Sequence, residues 1–142
     1  MTTHLRETIK QDNPVYAEVA GNPIDWSVLD ALKVLQKPGK PDMRKKLLET
    51  YLSSSQALFE NATAAVTTAD GGALMKAAHS LKSSSFAVGA ATFGATCFAL
   101  EKIGRANTLI EAPALLNRAK NEYSAVCSAL RAHLNEIESD AV

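Results

Sequence analysis

Apolar residues return at three- and four-residue steps through four successive segments of this 142-residue chain, and short breaker stretches separate those segments. That period is the mark of an amphipathic helix. The connections are too short to lead anywhere but into an antiparallel neighbour. Leu47, Leu48, Tyr51, Ser55, Leu58, Ala62, Ala65 and Val66 form the stripe of a long helix from about Asp42 to Thr67. Asp70 reads as the N-cap of the next helix, with Gly71 and Gly72 in its first turn. Gly89 breaks or bends the chain near Ala90. A further helix carries Phe93, Cys97, Leu100 and Ile103 and is expected to end near Gly104. The last, from about Glu111 to Glu136, has Pro113 in its first turn, where proline is tolerated. Its stripe is Leu116, Ala119, Tyr123, Val126, Leu130 and His133 or Leu134. Ahead of these, Asp25 caps a short helix with Val28, Leu29, Leu32 and Leu35 on one side, and Lys37-Pro38-Gly39-Lys40-Pro41 stops it. No segment alternates with period two. The expected fold is all-α: an antiparallel up-down-up-down four-helix bundle with the short helix across one end.

Residues 1–23 lack a sustained apolar period and contain Asn13-Pro14 and Gly21-Asn22-Pro23, so they read as a tail or interdomain linker ahead of a domain at 24–138. A formal net charge of zero argues against non-specific nucleic-acid binding. No apolar run has the length of a membrane span, and no N-terminal stretch reads as a signal peptide. Cys97 and Cys127 fall on core stripes. Two cysteines so far apart make neither a disulfide framework nor a zinc site, and buried reduced thiols in a cytoplasmic protein are expected.

The third segment contains an anomaly. With Leu81 set at zero and about 100° per residue, Leu74, Ala77, Ala78, Ser84, Ser85 and Val88 fall within roughly 60° of it. His79 falls at about 160°, nearly opposite. Its outer-face neighbours are Met75, Lys76, Lys82, Ser83 and Phe86. An imidazole with an ordinary pKa of about 6.5 is a competent nucleophile near neutrality. Lys76 and Lys82, three residues to either side, supply positive charge. Met75 and Phe86, within about 40° of His79 at successive turns, supply apolar contact for a partner.

The run Ala78-His79-x-Leu81-Lys82-Ser83-Ser84-Ser85, then Val88-Gly89-Ala90, then Leu100-Glu101, resembles the signature of histidine-containing phosphotransfer (HPt) domains. These are the four-helix intermediates of multistep phosphorelays. The resemblance extends from about Ile24 to Leu134. It implies that His79 is phosphorylated by a receiver-domain aspartate and passes the group to another. It makes Lys82 the basic residue near the phosphoryl group. Ser83 stands where the family commonly has glycine; it is small enough to leave room, and its hydroxyl could reach the ring. It places Gly89 at a close approach or turn, counted with Met75, Lys76 and Phe86 among the docking residues. The implied partners are receiver domains of response regulators and hybrid histidine kinases, met by a monomer. No cofactor of its own is expected, since Mg²⁺ resides on the receiver.

The same residues admit other readings. A sensor-kinase dimerisation domain normally has an acidic residue after its histidine, whereas Ser80 follows His79, and no nucleotide-binding glycine motif occurs; a phosphocarrier is expected rather than an autonomous kinase. A metal-carboxylate bundle needs inward-facing Glu-x-x-His pairs, and there are none. A helical adaptor with an incidental His79 is the alternative function. His4 and His133 read as ordinary surface or satisfied polar residues. Phe98 projects away from its helix's stripe. Glu101 and Arg105, four apart, read as a surface ion pair.

Overall fold

The computed structural model describes residues 22–140. His4 and most of the segment read as a tail lie outside the described residues. Five α-helices follow in order: α1 (Trp26–Leu32), α2 (Met43–Thr67), α3 (Gly71–Ala87), α4 (Ala91–Ala106) and α5 (Ala112–Asp140). Single 3₁₀ turns lie at Lys33–Leu35 and Leu109–Glu111. No strand occurs among the described residues. Helices α2 to α5 form the antiparallel bundle the periodicity predicts, each packed on its chain neighbours, with α5 closing against α2.

The caps set the helix starts. Asp25, Asp42 and Asp70 each accept a hydrogen bond from a backbone N–H of the helix they precede, at Ser27, Arg44 and Ala73. The stripes then bury Leu48, Tyr51, Leu74, Leu81, Phe93, Leu100, Val126 and Leu130 in one core. Buried Phe93 meets the partly buried rings of Phe59 and Tyr123 against this core, with Phe59 and Tyr123 5.1 Å apart and 8° from parallel. Most polar atoms inside are paired, as burial requires, although Glu122 Oε1 and His133 Nε2 are buried without a hydrogen-bond partner. The Tyr51 hydroxyl meets Ser85 Oγ at 2.8 Å, and the Tyr123 hydroxyl meets Ser55 Oγ at 2.6 Å. Burial pushes the Tyr123 phenol up to about 12, so it stays protonated.

Helix α1 lies where α3 turns into α4. Gly89 has φ +86°, and a Cβ there would meet the Asp25 carbonyl. Its own carbonyl accepts from the Asp25 N–H at 2.8 Å. Trp26 stacks on His133 near the end of α5, ring centroids 4.7 Å apart. Three expectations need correction. Leu35 is exposed, because the 3₁₀ turn rotates it off the α1 stripe. Helix α5 continues past Glu136 because Ile137 is buried. Gly104 does not end α4; Asn107 does, in the left-handed conformation at φ 55°.

Gly104 instead marks a close crossing of α3 and α4. A Cβ at Gly104 would lie 2.7 Å from both the Gly71 carbonyl oxygen and the Met75 nitrogen. Gly104→Ala is therefore expected to cost about 1–3 kcal/mol by forcing α3 and α4 apart, read from urea denaturation. Gly72→Ala is the control. Nothing lies nearer than 3.7 Å to its Cβ, so it should be neutral or slightly stabilising.

Candidate functional site

The tight α3–α4 crossing brings opposite charges together between the two helices. Asp70 starts α3 in a register that turns Leu74, Ala78 and Leu81 into the core and leaves His79 outside, its side chain 58% exposed. The ring leans toward α4, and its Nδ1 lies 2.8 Å from Glu101 Oε2. Glu101 is the surprise of the site. Its side chain is only 2% exposed, and it accepts from Lys82 Nζ at 2.7 Å and from an Arg105 guanidinium nitrogen at 3.1 Å as well. The pair with Arg105 is thus no surface ion pair on the carboxylate's side.

The charge state follows from these contacts. The Lys82 hydrogen bond is the main reason the Glu101 carboxyl sits below its usual range. Burial opposes this, and the His79 hydrogen bond adds to the lowering. An ionised carboxylate only accepts hydrogen bonds. Nδ1 of His79 must then carry the proton, which leaves the lone pair on Nε2, at the exposed side of the ring. The network fixes both tautomer and ring orientation.

The remaining candidates divide. Lys82 is half-buried and pinned to Glu101, rather than a free lysine. Lys76 is exposed, and Met75 is half-buried beside His79 at the crossing. Phe86 is 46% exposed, the rest of its ring lodged against Gly94. Ser83 is exposed but does not bond the imidazole, which Glu101 holds instead. Gly89 is buried under Asp25 and offers no surface for docking; its role is the turn. His133 is only partly satisfied: its ring lies against Trp26 and its Nδ1 is 3.5 Å from a Glu136 oxygen, but its Nε2 is buried without a hydrogen-bond partner.

A family model described as the Hpt domain matches residues 46–139, which spans α3, α4 and most of α2 and α5. The chain belongs to the Hpt domain family. As an Hpt domain it is a histidine phosphotransfer intermediate of phosphorelays, and its partners are receiver domains. Among solved structures, it is similar to the crystal structure of histidine-containing phosphotransfer protein B (HptB) from Pseudomonas aeruginosa PAO1. That match has a TM-score of 0.74 and 28% identity, covering 82% of this chain and 97% of the other. No curated protein matches the chain. No helix among the described residues is long and apolar enough to cross a membrane.

Glu101→Gln tests the carboxylate in this Hpt domain. It leaves Lys82 and Arg105 without their anion, and stability at pH 7 is expected to fall by about 1–3 kcal/mol. The wild-type advantage should be pH-dependent. A carboxyl whose folded pKa lies below its unfolded value, about 4.3, contributes stability that is fully present above that value. This contribution is lost as pH falls through the folded pKa. Urea midpoints of wild type and variant should converge in acid, and a constant gap would show that the charge plays no part.

Proposed function

We propose that His79 is the phosphorylated residue and Nε2 the atom that bonds phosphorus. The observation that carries this reading is the Nδ1–Glu101 contact, which presents Nε2 with its lone pair outward on an exposed ring. Nε2 attacks the phosphorus of a receiver aspartyl phosphate. The P–O bond to the aspartate breaks, the carboxylate departs with its electron pair, and an N–P bond forms. The proton stays on Nδ1, where the ring's new positive charge faces the Glu101 carboxylate. Transfer to a second receiver aspartate reverses these steps.

Such transfer depends on in-line positioning and charge neutralisation more than on covalent machinery in the carrier. The metal ion that shares this task, Mg²⁺, belongs on the receiver in this reading. This chain contributes Lys82 beside the phosphoryl group, with Lys76, Met75 and Phe86 on the docking face. The free, buried thiols of Cys97 and Cys127 agree with placement in the reducing cytoplasm. A monomer presents this face unobstructed.

His79→Gln is expected to abolish acid-labile labelling by a phosphorylated receiver while lowering stability by less than about 1.5 kcal/mol. Nitrogen-15 and phosphorus-31 NMR of the labelled wild type should locate the N–P bond at Nε2. Persistent acid-labile phosphate on the variant would refute the assignment and leave the chain's other residues to explain it. Lys82→Ala should slow transfer at least roughly tenfold without abolishing it, because the receiver's metal supplies the rest of the charge stabilisation. An unchanged rate at low salt would reduce Lys82 to a partner of Glu101.

A further inference from the structure

Two lysines converge on one aromatic ring at the edge of this site. The Lys82 ammonium lies 4.7 Å from the Phe98 ring centroid, and the Lys102 ammonium lies 4.6 Å from it. Both distances fall within cation–π range. Phe98 projects from α4 on the side of the bundle that faces water and is 43% exposed, so the core does not account for it. Lys82 is thereby held from two sides, by Glu101 Oε1 and by the ring. Lys102 is exposed, and no carboxylate among the described residues pairs with it. The ring is its tether.

The charges add up to something the phosphoryl group can use. Glu101 is the one carboxylate in contact with Lys82, Arg105 and His79. Lys102 follows it directly along α4. Lys82, Arg105 and Lys102 outnumber the one carboxylate among them, so this stretch of α3 and α4 carries the positive balance that a phosphoryl dianion calls for. A lysine on a free four-carbon stem must give up rotamer freedom to take part in such a cluster. A ring that already holds the ammonium removes that cost before the phosphoryl group arrives, and preorganised charge is what electrostatic stabilisation of a transition state requires.

We propose that Phe98 is a positioning residue for phosphoryl transfer, its ring holding Lys82 and Lys102 as a preformed cationic ledge beside His79. The proposal rests on His79 being the acceptor. No bond forms or breaks at Phe98, and it acts only through the two lysines.

The experiment is single-turnover transfer from a radiolabelled phospho-receiver to the full chain, with chain concentration varied to separate the saturating rate from affinity. Phe98→Leu keeps an apolar side chain but removes the ring face; Phe98→Tyr keeps the ring. Phe98→Leu is expected to lower the saturating rate about tenfold at low salt, with the loss shrinking as salt screens the lysines. Its melting temperature should stay near the wild-type value, and Phe98→Tyr should restore the rate. Lys102→Ala should slow the wild type but add little in the Phe98→Leu background, because both changes remove the same element. Phe98→Leu transferring at the wild-type rate in low salt would overturn the proposal. So would Phe98→Tyr as slow as Phe98→Leu, or a loss confined to affinity. Failure of the His79 assignment has a different signature, since His79→Gln would then still take up label.

Discussion

A carboxylate almost out of reach of water organises this molecule's working face. Removing an ionised group from solvent costs several kcal/mol unless good hydrogen bonds replace the water. Glu101 meets that demand with a lysine and a histidine from α3 and an arginine from its own helix. Because two of the three donors come across the interface, the carboxylate fixes the rotation of α3 about its axis relative to α4. The direction of the His79 ring, and hence of Nε2, follows from that rotation. Removing any one donor leaves the buried carboxylate short of a hydrogen bond.

The carboxylate reaches its donors because the two helices run close together. Gly71 and Gly104 meet backbone to backbone at one end of the interface, and Gly94 lies under the Phe86 ring nearer the other. Helices α2 and α5 have a different task. They bury the aromatic stack of Phe59, Phe93 and Tyr123 and tie in through hydroxyl pairs at Tyr51–Ser85 and Ser55–Tyr123. The division is clear in the stripes: α2 and α5 are core and frame, while α3 and α4 carry both core and chemistry.

Much of this was legible in the order of residues. The helical period placed α2 to α5 and their core faces, the caps at Asp25 and Asp70 marked two starts, and His79 stood out by lying opposite its own helix's stripe. Glu101 was misread because its partners lie on another helix, and the register between α3 and α4 is set by a glycine contact that spacing along the chain does not reveal. A signal was nevertheless present: Glu101 is four residues after Cys97 and eight after Phe93, so a carboxylate occupies an apolar stripe position. Gly104 was misjudged for the same reason, since a glycine that permits close approach and one that ends a helix look alike in sequence. Asn107 took the terminal role because asparagine tolerates the left-handed conformation.

The Glu101 network also bears on how long a phosphoryl group on His79 would last. Hydrolysis of a phosphoramidate needs a water molecule at phosphorus, and a nearby carboxylate is one group that can orient it. The carboxylate bonded to the ring has both oxygens committed, one to Lys82 and the other to His79 and Arg105. It grips the nitrogen remote from phosphorus and, only 2% exposed, is itself shut away from the water it would have to recruit at the other. If His79 is the acceptor, as proposed, the side chain that orients its ring is thus badly placed to act as a phosphatase, and the lifetime of the charged carrier passes to the receivers that dock on it.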